Sequence, residues 1–229
     1  MTPLRRICAS ASRIGISLLL LLASAAAHAQ GFLKWQADTV PLFRGFAVSA
    51  DLAGLLQMQI GDYGQYEAAL RLNLHDQYFP IVELGYGKAK HENDEVTGIT
   101  YLTSAPYFRV GCDVNLLKQK HTGNRVFIGM RYAFTSYKVD ISRPPFPDPT
   151  WKWETPFVVS DEPCSQHWAE VVFGVDASVL GPLHLGWSVR YRKRLAHNDG
   201  QMSKTWYVPG YGIQEGSRIG YTFNFTIDI

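Results

Sequence analysis

The sequence predicts an all-β fold: an eight-stranded antiparallel up-and-down transmembrane β-barrel behind a cleaved N-terminal signal peptide. Three observations predict it. The last twelve residues, Arg218 to Ile229, alternate strictly and place Ile219, Tyr221, Phe223, Phe225, Ile227 and Ile229 on one face. Seven earlier segments alternate in the same way at the length a tilted membrane strand needs. The connections between them alternate between long and short, as they do in a barrel with short turns on one side of a membrane and long loops on the other.

The amino terminus is read first because it decides what takes part in the fold. Arg5, Arg6 and Arg13 form a basic region, Ile14 to Leu22 with the following alanines an apolar run, and Ala27-His28-Ala29 a small-x-small cleavage site. The apolar run, roughly 13 residues, is shorter than the roughly 20 that span a bilayer as a helix. Residues 1–29 are therefore expected to be a signal peptide cleaved after Ala29, residues 30–42 a periplasmic lead, and residues 43–229 the barrel. Losing three arginines with the leader turns the formal charge from +2 to about −1, which removes the electrostatic argument for nucleic acid as a partner.

The strands follow in order. The first, Arg44 to Ala53, shows Phe46, Val48, Ala50 and Leu52 on one face; the second, Tyr63 to Leu74, shows Tyr66, Ala68, Leu70, Leu72 and Leu74. The third, Tyr78 to Lys88, shows Pro80, Val82, Leu84 and Tyr86, and the fourth, Pro106 to Asn115, shows Phe108, Val110, Cys112 and Val114. The fifth, Arg125 to Tyr137, shows Val126, Ile128, Met130, Tyr132 and Phe134; the sixth, His167 to Leu180, shows Ala169, Val171, Phe173, Val175, Ala177 and Val179. The seventh, Leu183 to Arg192, shows Leu183, Leu185, Trp187, Val189 and Tyr191. The eighth is the terminal strand, which must pair with the first to close the tube. Long outer loops are expected at 89–98, 138–166 and 193–216, tight turns at 75–77 and 181–182, and less clearly typed links at 54–62 and 116–124.

The opposite face distinguishes a membrane barrel from a soluble one, which would turn its apolar face inward. It carries glycines at 45, 85, 87, 111, 129, 174, 186 and 220, suited to a crowded lumen. Its charges are Asp51, Glu67, Glu83, Asp113, Glu170 and Asp176 against Arg71, Arg109, Arg131, Arg190, Arg192 and Arg218, with no lysine. Arginine forks satisfy carboxylates bidentately in a narrow tube. We therefore expect a lumenal charge network of Glu67, Arg71, Glu83, Arg109, Asp113, Arg131, Glu170, Asp176, Arg190 and Arg218, in a lumen that eight strands leave just wide enough to fill. Tyr66, Tyr86, Tyr132, Tyr137, Trp187, Tyr191 and Tyr221 are assigned to the apolar face as interfacial girdles. Cys112 and Cys164, the two cysteines outside the leader, fall too far apart along the barrel for a disulfide.

Catalytic and metal motifs are weak. Asp176, Ser178, His184 and Ser188 share the polar face of two adjacent strands, but they flank a periplasmic turn away from outer-leaflet lipid, and a histidine satisfied by lumenal hydrogen bonds is expected. No catalytic residue is therefore assigned. His75, His91, His121, His167, His184 and His197 show no ligand spacing, so no metal and no cofactor is expected. In the third outer loop, prolines surround Phe146, Trp151 and Trp153. These rings form either a binding surface for a carbohydrate or partner protein, or a cap over the mouth.

The segments YFPIVELGYGKA (78–89), PYFRVGCDVNLLK (106–118) and RVFIGMRYAFTSYKVDI (125–141) resemble a family of exported proteins of Gram-negative bacteria, described as domains of unknown function with predicted outer-membrane β-barrels. The resemblance implies architecture and outer-membrane localisation, and carries no activity or catalytic residue. The expectation is thus a monomeric outer-membrane barrel in contact with membrane lipid, inserted by the barrel-assembly machinery, serving an envelope structural or surface-binding role through loops whose ligand is unknown. Two alternatives are an outer-membrane lipid-modifying enzyme and a soluble periplasmic lipocalin-like binder of an apolar ligand.

Overall fold

A computed structural model describes residues 40–94, 98–147, 154–200 and 205–229. Strand β1 (Phe43–Asp51) is followed by helix α1 (Leu52–Ile60), then β2 (Tyr63–Leu74), β3 (Tyr78–His91), β4 (Thr100–Asn115), β5 (Arg125–Pro147), β6 (Glu154–Leu180) and β7 (Leu183–Asn198). A small hairpin, β8 (Tyr207–Val208) and β9 (Gly212–Ile213), precedes β10 (Ser217–Asp228). Strands β1 to β7 and β10 close an antiparallel barrel, each paired with its neighbour in sequence, apart from the excursion through β8 and β9. The closing seam runs from Ala47↔Asp228 to Asp51↔Asn224, so the terminal strand does pair with the first.

Alternation fixes which side chains enter the tube, because successive residues of a strand point to opposite faces. Leu84, Met130 and Tyr221 are about 60%, 69% and 63% exposed on the outer wall, among apolar residues contributed by all eight strands. Rings pair across strands on this wall, with Trp187 and Tyr221 stacked at 6.3 Å and Phe108 beside Phe134 at 5.6 Å. The inward positions hold the charges. This is the reverse of a soluble barrel that encloses an apolar ligand. The cysteines are free, Cys112 on the outer wall and Cys164 buried.

Four expectations are corrected. The segment 138–166, read as a loop, is largely strand: β5 has 23 residues and β6 has 27, over twice what a crossing needs. Val139 and Ile141 face inward and are buried, so alternation persists where proline content suggested it had ended. The ladder absorbs Pro144 and Pro145 at a register shift between Arg143 and Phe146. Likewise β4 begins at Thr100, six residues before the expected start, and β7 runs on to Asn198.

The link at 54–62 is mostly helix, capped by Asp51, whose carboxylate accepts the Ala53 and Gly54 N–H groups at 3.0 and 3.2 Å. Nine residues are too few for a periodicity to show. Tyr137 is the third correction. It shares parity with Arg131 and Ala133, so it points into the lumen, where it is buried and bonds Thr205 at 2.9 Å. The fourth concerns the 193–216 connection, whose β8–β9 hairpin folds into the barrel mouth. Tyr207, Val208 and Tyr211 are fully buried there, packed with Tyr101, Tyr107, Tyr137 and Trp168.

Candidate functional site

The lumen is filled in two ways. Across its middle, inward residues of β2 to β7 meet as ion pairs because the ladder sets carboxylates against guanidiniums, Glu83↔Arg109, Arg131↔Glu170 and Glu170↔Arg192. Glu83 accepts from three arginines: Arg131 Nε at 2.8 Å, Arg190 Nη1 at 2.7 Å and Arg109 Nη1 at 3.2 Å. Arg109 also pairs with Glu67 and sits 3.0 Å from Glu170. Arg190 reaches Glu67 at 3.0 Å. Arg131 forks onto both oxygens of Asp113 at 2.6 and 3.0 Å, the bidentate geometry that lysine cannot supply. Arg71 donates to Asp176 at 2.6 Å and lies over the Phe127 ring. The cavity enclosed between Glu67, Arg71, Glu83, Arg131 and Arg190 holds only about 10 Å³, about enough for one water molecule.

Glycine makes the crowding possible. A methyl on Gly129 would stand 1.9 Å from an Asp113 oxygen, and one on Gly186 would stand 2.0 Å from an Asp176 oxygen. These carboxylates lie across the strand opposite, so a side chain at either glycine would displace them. Nine of the ten residues assigned to the network therefore sit in it. Arg218 does not: it is half-buried at the mouth, with Nη1 donating to the Ile213 carbonyl at 3.4 Å. Arg192 joins instead, 3.3 Å from Glu170. Arg125, also outside the assigned set, pairs with Asp228 near the other end.

The outer mouth is filled by one segment. Val208-Pro209-Gly210-Tyr211 forms a turn closed by the Tyr211 N–H donating to the Val208 carbonyl at 3.1 Å. Proline stands at its second position and glycine, at φ +79°, at its third. The turn's backbone docks onto the charge layer: Arg109 Nη2 donates to the Gly210 carbonyl at 2.7 Å and Arg192 Nη1 to the Tyr211 carbonyl at 2.8 Å. Tyr107 joins the two fillings, its hydroxyl donating to Glu67 at 2.8 Å while its ring lies against Gly85 and Gly210. A signal for this hairpin existed in YVPGYGI, a turn signature amid aromatics, but two-residue strands give no alternation to read.

The remaining sequence candidates do not converge. His184 approaches Asp228 at 3.2 Å, Asp176 is held by Arg71, Ser188 shares a hydrogen with Thr222 at 2.6 Å, and Ser178 donates to the Gly181 carbonyl at 3.4 Å. His121 bonds Asp76 at 2.6 Å with His75 nearby, yet among the described residues no group of three or more His, Cys, Asp or Glu side chains gathers to hold a metal. Trp151 and Trp153 lie outside the described residues, as does the side chain of Phe146.

Residues 10–229 match a family model described as a domain of unknown function, DUF6048. The chain belongs to the DUF6048 family. That bears out the resemblance to exported domains of unknown function carried by the three sequence blocks. No curated protein matches the chain. Solved structures similar to this DUF6048 member include Neisserial surface protein A (12% identity, 82% of this chain and 99% of that one, TM-score 0.45). Acinetobacter baumannii CarO2 is a second (9% identity, 83% and 100%, TM-score 0.40).

Proposed function

We propose that this protein is an outer-membrane barrel with a closed lumen that works at its outer face, in an envelope structural or surface-binding role, and is not a conduit. The observation that carries this reading is the distribution of polarity around the tube. The outer wall is apolar on every strand, more than a monomer in water keeps exposed, while the inner wall is consumed by paired charges and a docked hairpin. A lipid environment satisfies the first and makes the second necessary. The leader 1–29 and the assembly machinery belong to the same reading, because a barrel can reach the outer membrane only by export.

Fractionation with a heat-modifiability gel tests it. The mature protein should be found with the outer membrane and migrate faster unheated than boiled. In planar bilayers it should show no stable conductance. Finding it in the soluble periplasm with no heat-dependent shift, or a steady ohmic channel, would overturn the reading.

A further inference from the structure

The wall of the barrel is incomplete at one place. Strand β1 ends at Asp51, paired with Asn224, whereas β10 continues outward to Ser217 with β7 on its other side. Among the described residues no strand pairs with β10 on the β1 side above Asn224; α1 stands there instead. Asp51 accepts the Phe223 N–H at 3.2 Å at the foot of the gap, so by the alternation of an antiparallel ladder Tyr221 and Ile219 turn their backbone N–H groups toward the same opening.

A cavity of about 410 Å³ fills this gap. It runs from the lumen side, at Arg192 and Tyr207, to the outer wall at Ile219 and Tyr221, with Arg218 at its rim. Two guanidiniums line it and no carboxylate does. Arg192 is under-neutralised for a buried cation: its one ion-pair partner, Glu170, held through Nε at 3.3 Å, is shared with Arg109 and Arg190. Gly220 leaves the guanidinium uncovered, since a methyl there would lie 3.1 Å from Arg192 Nη2. Beside Ala53 and Gln57, which line the cavity, α1 presents Leu56 and Ile60, one turn apart and 63% and 86% exposed, as an apolar edge.

From this we propose that the gap between α1 and β10 is a lateral binding site for a phosphate-bearing headgroup of an outer-leaflet lipid, clamped by Arg192 and Arg218 while its chains stay against Ile219, Tyr221 and the α1 edge. The volume matches a headgroup-sized ligand, and paired arginine forks match a phosphate. The proposal rests on the membrane reading given above. It adds a ligand class and an entrance through the wall instead of through the mouth.

Binding by the full mature chain in a non-ionic detergent, counted by native mass spectrometry, tests it with three probes: short-chain phosphatidic acid, the matching diacylglycerol, and inorganic phosphate. One phosphatidic acid should be retained per chain, at least tenfold more tightly than either other probe. Arg218→Gln, at the rim and outside the charge layer, should weaken it about tenfold or more. Lys88→Gln, on the far side of α1, should leave it unchanged. Arg192→Gln should abolish it if the variant folds, and Arg218→Gln decides the matter if it does not. Equal binding of inorganic phosphate would make this a site for a free anion and overturn the lipid assignment. Equal loss from Lys88→Gln, or none from Arg218→Gln, would overturn the site. The heat-modifiability gel reports the membrane reading separately, so the two can fail independently.

Discussion

The middle of the lumen and its outer mouth are filled by opposite means. The middle is closed by charged residues from six strands, β2 to β7, each carboxylate held by guanidiniums from elsewhere in the chain, Arg71 to Asp176 across 105 residues and Arg190 to Glu83 across 107. The mouth is closed by a single excursion, Tyr207 to Ile213, that brings its own rings and backbone carbonyls. A distributed charge layer is interdependent, because removing one ion leaves its partners buried and unpaired. A docked segment is modular: its loss exposes surface without orphaning a charge on the barrel wall, since Arg109 and Arg192 lose only a carbonyl each.

Replacing Arg131 with Leu would break the comparison if it were wrong. Asp113 would keep only Arg71, at 3.8 Å, and Glu83 would lose one of three partners. A cost of about 3–5 kcal/mol is expected for breaking such a buried pair, read as a lower urea midpoint in detergent. An unchanged midpoint would show the layer to be interchangeable with apolar filling.

Exchanging Tyr207 to Ile213 for a Gly-Ser linker of equal length should cost less, about 2–3 kcal/mol. The burial of two tyrosines and a valine is partly offset by the ordering entropy the hairpin no longer loses. Conductance should remain absent, because the paired charges below still cross the tube and the cavity among them has room for only about one water. A channel opened by this exchange would show that the mouth, and not the middle, is the seal.

The same contrast explains what the sequence disclosed. Glu67, Arg71 and Glu83 could be assigned to the lumen because charge on the minor face of a long alternating strand has a single physical destination. Tyr137 could not be placed by residue type, since the inner wall turns from charged to aromatic near the mouth and only its parity with Arg131 reveals it. The hairpin was hidden because its burial is decided by space that the strands leave, a tertiary quantity with no local periodicity. Asp51 before Leu52 was a readable cap signal for α1, masked by the apolar pattern of the strand it ends.

The smallest expected effect concerns the rim, where the two fillings meet solvent. His91 at the end of β3 holds Asp62 through Nδ1 at 2.6 Å and approaches Asp94 through Nε2 at 3.3 Å. Its ring lies 5.5 Å from Trp206, the residue before the hairpin. Those contacts, led by the hydrogen bond to Asp62, raise its pKa above the ordinary value. The imidazolium is therefore the form that the folded state favours. Its contribution is fully present below the unfolded value of about 6.5 and fades as pH rises through the higher folded value. Because the pair is exposed, the change should be local: faster amide exchange around Asp62 and a shift in tryptophan fluorescence as pH rises above about 6.5, with the global midpoint nearly constant. His91→Gln should remove the pH dependence. If the same change persisted in that variant, the rim would answer to another group, and the mouth would be less modular than its single-segment filling implies.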